Sequence, residues 1–213
     1  MKNRKIFTAV VASLFITTFT WTFANEPENI SSEASGPAYS YNKAESKVYW
    51  EGSKPGGKHI GTIGMVNGSA TTNGDQIVGG SFELDMTSIQ NEDVENEGMR
   101  KRLLDHLRSE DFFYVEKYPV SSFEITSVAP STEGPSTHLV TGDLTIRGNT
   151  REISFPAEIE MTDKMIRART GQIVLDRTQW EVNFKSKSIF AGLKDSFISD
   201  EMIVKLDVYL DRN

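Results

Sequence analysis

The stretch "EMIVKLDVYL" (201–210) puts Met202, Val204, Leu206, Val208 and Leu210 on one face and Lys205, Asp207 and Tyr209 on the other. Successive side chains of a strand point to opposite faces, so this period of two reads as a strand buried on one side. The same alternation runs through "GDLTIRGNTREISFPAEIEM" (142–161). Leu144 and Ile146 precede a polar turn, and Ile153, Phe155, Ala157, Ile159 and Met161 follow it. Val48 with Trp50, Ile63 with Met65, Phe82 with Leu84 and Met86, and Phe123 with Ile125 mark further stretches. Turn residues separate them at Pro55-Gly56-Gly57, Asn67-Gly68, Asn73-Gly74-Asp75 and Gly148-Asn149. One-sided strands repeated this often specify antiparallel sheet with one face in the core.

One segment departs from the pattern. "ENEGMRKRLLDHLRS" carries Met99, Leu103 and Leu107 at intervals of four, with Leu104 adjacent, which makes one helical stripe. Acidic residues crowd its start and Arg108 stands at its end, as the helix dipole favours. A single helix among many strands, with no strand–helix alternation, predicts an all-β body that closes on itself. There is no internal repeat and no second domain.

The first 24 of the 213 residues read as an export leader. Lys2, Arg4 and Lys5 open it, an apolar run from Ile6 to Phe23 follows, and Thr22-Phe23-Ala24 supplies the small residues of a cleavage site. The run is threonine-rich and of marginal length for a retained membrane anchor. Residues 25–42, rich in Ser, Glu, Asn and Pro, read as a flexible linker to a domain over 43–213. The expected location is the periplasm or the medium, with no integral span after cleavage. Removing the leader leaves 20 basic against 30 acidic residues, a net charge of about −10. That balance argues against nucleic acid and against an anionic membrane surface as partners. The chain has no cysteine, so thiol chemistry, iron–sulfur clusters and cysteine-ligated zinc are excluded.

No motif assembles a catalytic site. Gly52, Gly57 and Lys58 match part of a phosphate-cradling loop, but His59 stands where Ser or Thr should, and no helix pattern follows. His59, His106 and His138 share no metal-ligand spacing, and no GxSxG elbow occurs. The acidic run Glu92, Asp93, Glu95 and Glu97 lacks the central glycine of a calcium loop and reads as a solvated approach to the helix. Neither a metal nor a catalytic residue is expected. The aromatic set Phe82, Phe112, Phe113, Phe123, Phe155, Trp180 and Phe184 falls on apolar faces or in the turn after the helix. A barrel of about eight strands is just wide enough for its own side chains or for one slender ligand. Spacing leaves both open.

Four stretches, in order, resemble the YceI family of exported lipocalin-like proteins. They are "GSFELDMTSI", "LLDHLRSEDFFYVEKYPVSSFEITSV", "GDLTIRGNTREISFPAEI", and "VLDRTQWEVNFKSKS" followed by "GLKDSFISDEMIVKLDVYL". The resemblance covers roughly residues 43–211. Many relatives carry Phe-Gly after the Arg-Thr of the last motif, where this chain has Gln179-Trp180-Glu181. The resemblance implies an eight-stranded antiparallel barrel with a helix packed against it. It also implies a non-catalytic binder of a long polyisoprenoid or fatty amphiphile, with no other cofactor.

On that reading Phe82, Leu84, Met86, Leu103, Leu107, Phe112, Phe113, Phe123, Ile125, Leu144, Ile146, Phe155, Trp180 and Phe184 line a tube. Arg147 and Arg151, or Lys54 and Lys58, would meet an anionic head group. The alternative is a stress-related interaction protein whose barrel is packed solid. Oligomeric state is left open, a homodimer included.

Overall fold

The computed structural model describes Gly36 and residues 38–213 except 133. The expected leader and residues 25–35 and 37 of the expected linker lie outside the described residues. Ten strands form one antiparallel sheet: β1 (Ala38–Tyr41), β2 (Lys47–Lys54), β3 (Gly57–Asn73), β4 (Gln76–Asn91), β5 (Val120–Pro130), β6 (His138–Ile146), β7 (Asn149–Met161), β8 (Met165–Thr170), β9 (Ile173–Asp176) and β10 (Glu201–Arg212). The order β2-β3-β4-β5-β6-β7-β8-β10 returns to β2, because β10 pairs with both β8 and β2. Two staves are each built from two segments. β1 and β2 both pair with β10 and β3, and β8 and β9 both pair with β10. The result is the expected closed eight-stranded antiparallel barrel, which leaves no free sheet edge around most of its circumference.

The linker expectation is corrected at its C-terminal end. Residues 38–41 are strand β1, with Tyr39 opposite both Arg212 and Ala70. The composition of 25–42 hid this, because Tyr39 and Tyr41 are the only large apolar bodies among its last twelve residues, too few to show a period. The Asn67-Gly68 turn is corrected too. Both residues lie inside β3, at a bulge where the register with β4 shifts between Met65 and Asn67. A side chain at Gly68 would press on Phe82 Cδ1 at 2.9 Å and Met65 Cε at 3.1 Å, so the glycine serves close packing rather than a reversal.

The helix α1 (Glu97–Arg108) follows β4, capped by Asn96, whose side chain accepts the Met99 amide. Leu104 and Leu107 are its buried residues. Met99 is 56% exposed, so the helical stripe is shorter than the spacing predicts. The helix, a 3₁₀ turn (Arg177–Trp180) and residues 181–199 lie together at one end of the barrel, here the helix end. The opposite end, where β1 runs, carries the β3–β4, β5–β6 and β7–β8 connections.

Candidate functional site

The inward faces of the strands do not meet in the middle. They surround a cavity of ≈ 230 Å³. A single water needs about 10–15 Å³ of such space, and packed interiors hold few voids larger than that. On β10, every inward residue from Met202 to Leu210 borders the cavity. At about 3.3 Å per residue that run spans roughly 26 Å. The same volume spread along such a length is the bore for one slender chain.

Residue by residue, the structure places the expected lining as follows. Phe82, Leu84, Met86, Leu107, Phe112, Phe113, Phe123, Ile125, Leu144, Ile146 and Phe155 border the cavity. Leu103, Trp180 and Phe184 do not. Leu103 and Phe184 pack with Ile89, Leu104, Phe112 and Val182 in the plug under the helix. Trp180 is 1% exposed, and its indole N–H donates to the Leu144 carbonyl at 3.0 Å, locking the 3₁₀ turn onto β6. Leu103 and Phe184 thus belong to the closure of the helix end, while Trp180 packs with Ile146, Phe155, Ile173 and Leu175 without reaching the cavity. Alternation cannot separate these roles, because both bury an apolar side chain.

Gly142 shows how the sequence shapes the bore. A side chain there would lie 2.5 Å from Phe123 Cζ, so the glycine on β6 makes room for the Phe123 ring. Phe123 in turn packs against Phe155 with ring centroids 5.6 Å apart.

The four basic head-group candidates all lie toward the helix end, and none borders the cavity. Arg147, with φ of 51° in the β6–β7 turn, donates to the Phe112 and Glu181 carbonyls, both at 2.8 Å. It ties the turn after the helix to the closing segment, which corrects its expected role. Arg151 bonds the carbonyl of its own neighbour Thr150. Lys58 pairs with Glu51 at 2.9 Å. Lys54 is exposed.

The residue that sequence reasoning passed over is Arg177. It borders the cavity and is 3% exposed. Its guanidinium donates to the carbonyls of Ser199 (2.8 Å), Phe184 (3.0 Å), Ile198 (3.1 Å) and Val182, and stands 3.6 Å from Asp200 Oδ1. Burial pulls its pKa down from the usual value, partly offset by Asp200 and Asp176. Asp200 has a lowered pKa: burial opposes this, but contacts with Ser186 and Ser188 and the Arg177 charge outweigh it. The signal was present in "LDRTQW", an arginine just past the end of a strand, but a lone Arg there reads as solvent-facing. The charged residues that border the cavity, Glu51, Arg177 and Glu201, all sit at the helix end; the remainder of the lining is overwhelmingly apolar.

Residues 39–210 match the family model for the YceI-like domain. The chain belongs to the YceI family. A UPF0312 protein of Photorhabdus laumondii is 44% identical over 54 residues, which is 25% of this chain and 27% of that relative's length. BcnA of Burkholderia cenocepacia superposes with a TM-score of 0.62 at 20% identity, covering 79% of this chain and 98% of that one. A polyisoprenoid-binding domain from Saccharophagus degradans also gives 0.62, at 13% identity, with 83% and 99% covered. The Campylobacter jejuni YCEI protein gives 0.51 at 19% identity, with 71% and 84% covered. At these identities the superpositions speak to the fold, a closed antiparallel barrel, which in this chain surrounds an apolar cavity. No helix among the described residues is long and apolar enough to cross a membrane.

Proposed function

We propose that this protein binds or carries one long amphiphilic lipid, of polyisoprenoid or fatty-acyl class, in the cell envelope after export. The tail lies in the barrel and no bond is made or broken. The observation that carries this reading is the apolar cavity. Apolar cavities of about 150 Å³ stay dry yet accept hydrocarbon, and this one is larger. Each methylene moved from water into it gains about 0.8 kcal/mol. A barrel packed solid has no such space, which favours the carrier reading over the interaction-protein alternative. The polyisoprenoid-binding domain with the same fold lends support to the isoprenoid class. Binding by this account rests on tail burial, since Arg177 spends its donors on backbone carbonyls.

Organic extraction of protein purified from its native host, followed by mass spectrometry, should yield a lipid in about one-to-one ratio to the chain. Ala168 borders the cavity, and Ala168→Phe should fill it. Uptake of a fluorescent polyene fatty acid should then weaken by at least about tenfold, roughly 1.4 kcal/mol. Undiminished uptake by a folded Ala168→Phe protein would place the hydrocarbon somewhere other than the barrel.

A further inference from the structure

Resting on that reading, we propose that residues 187–194 form a lip that docks on an anionic lipid bilayer, setting the helix end of the barrel against the membrane. The segment is a loop pinned at its base and open at its tip. Ser186 bridges Ile198, the Ile198 amide donates to the Lys185 carbonyl at 3.0 Å, and Ser186 is fully buried. Beyond that base every residue from Lys187 to Gly192 is exposed. Ile189 and Phe190, both 48% exposed, stand side by side at the tip.

Lys185, Lys187 and Lys194 flank this apolar pair, and none of them forms an ion pair among the described residues. Lys185 and Lys187 instead lie over the rings of Phe184 and Phe197, at 5.6 and 5.0 Å. Asp195 is the one acidic residue between 183 and 199. Asp200, just beyond, is turned toward Arg177 and the Ser188 amide. Lys54, which forms no ion pair among the described residues, adds a further charge nearby, since Ser199 bonds the Ser53 carbonyl at 2.8 Å.

Apolar side chains that sink between lipid chains, ringed by lysines at the phosphate level, are the chemistry of interfacial binding. The chain as a whole is acidic, but exposed charges more than about 8 Å apart are largely screened at physiological salt, so the charges around the loop, where lysines outnumber Asp195, weigh most in the encounter. The base of the loop is also part of the cavity wall, through Ile198 and Ser199. Docking therefore brings the bilayer to the closure that a hydrocarbon tail would pass.

The chain has no native cysteine, so Ile189→Cys gives the full chain a single attachment point for an environment-sensitive fluorophore, and Leu139→Cys, near the opposite end, is the control. With vesicles of phosphatidylglycerol and phosphatidylcholine the label at 189 should shift to the blue and brighten, and the label at 139 should not. Adding Lys185→Glu, Lys187→Glu and Lys194→Glu to the labelled chain should weaken the vesicle response at least tenfold. An unshifted label at 189, an equal shift at 139, or an equal response to pure phosphatidylcholine overturns the proposal. Polyene fatty acid uptake is read in the same samples. Uptake without a shift at 189 overturns docking alone, and a shift without uptake overturns the carrier reading while docking stands.

Discussion

At the β1 end the barrel wall is completed by backbone pairing, whereas at the helix end the closing segment is held by side chains. Tyr39, 3% exposed, rides on a strand laddered to β3 and β10, and its hydroxyl donates to the Thr162 carbonyl at 3.1 Å. Tyr41 beside it donates to the Met65 carbonyl. At the other end residues 181–199 contribute only one isolated bridge and are gathered by the Arg177 guanidinium. A ladder spreads its stabilisation over many small bonds. A single clamp concentrates it in one residue, so the two closures differ in what it takes to open them. The charged residues bordering the cavity and the exposed Ile189–Phe190 tip share the clamped end.

The sharpest way to break this contrast is Arg177→Ala. It strands buried carbonyls of the closing segment and leaves Asp200 without its cation, and should lower stability by about 3–5 kcal/mol in urea unfolding. A loss below 1 kcal/mol would show that the helix end is held by its apolar plug alone. Next comes Asp200→Asn, which should cost about 1–3 kcal/mol at neutral pH. Asp200 has a folded pKa below its unfolded value. Its contribution is therefore present above the unfolded carboxylate pKa and is lost as pH falls through the folded one. Unfolding measured from pH 6 downward should accordingly show the variant and the wild type converging in strong acid. Parallel curves would mean that Asp200 is not linked to the closure. The smallest effect belongs to the laddered end. Tyr39→Phe removes one hydroxyl from a ring that stays packed, and should cost about 0.5–1.5 kcal/mol without altering hydrocarbon uptake.

Much of the fold was legible in the strand patterns. The period of two in 142–161 and 201–210 reports directly which side chains share a face, and the lone stripe of Leu104 and Leu107 reports the helix. The lining was largely legible for the same reason. Where it was not, the burial signal was shared by two destinations: Leu103 and Phe184 are as apolar as their neighbours but plug the helix end, and Trp180 is spent on fixing the 3₁₀ turn to β6. β1 was hidden by its four-residue length. Arg177 was passed over and Arg147 misread because an arginine's partners here are carbonyls far along the chain, which carry no residue-type signature.

By itself, then, the sequence determined a one-sided antiparallel sheet, because alternation is a local property that any strand must obey. The hollow was decided only by tertiary structure. Whether facing apolar side chains touch depends on the girth at which eight staves close, and that girth is set by pairing between residues as distant as Tyr39 and Arg212.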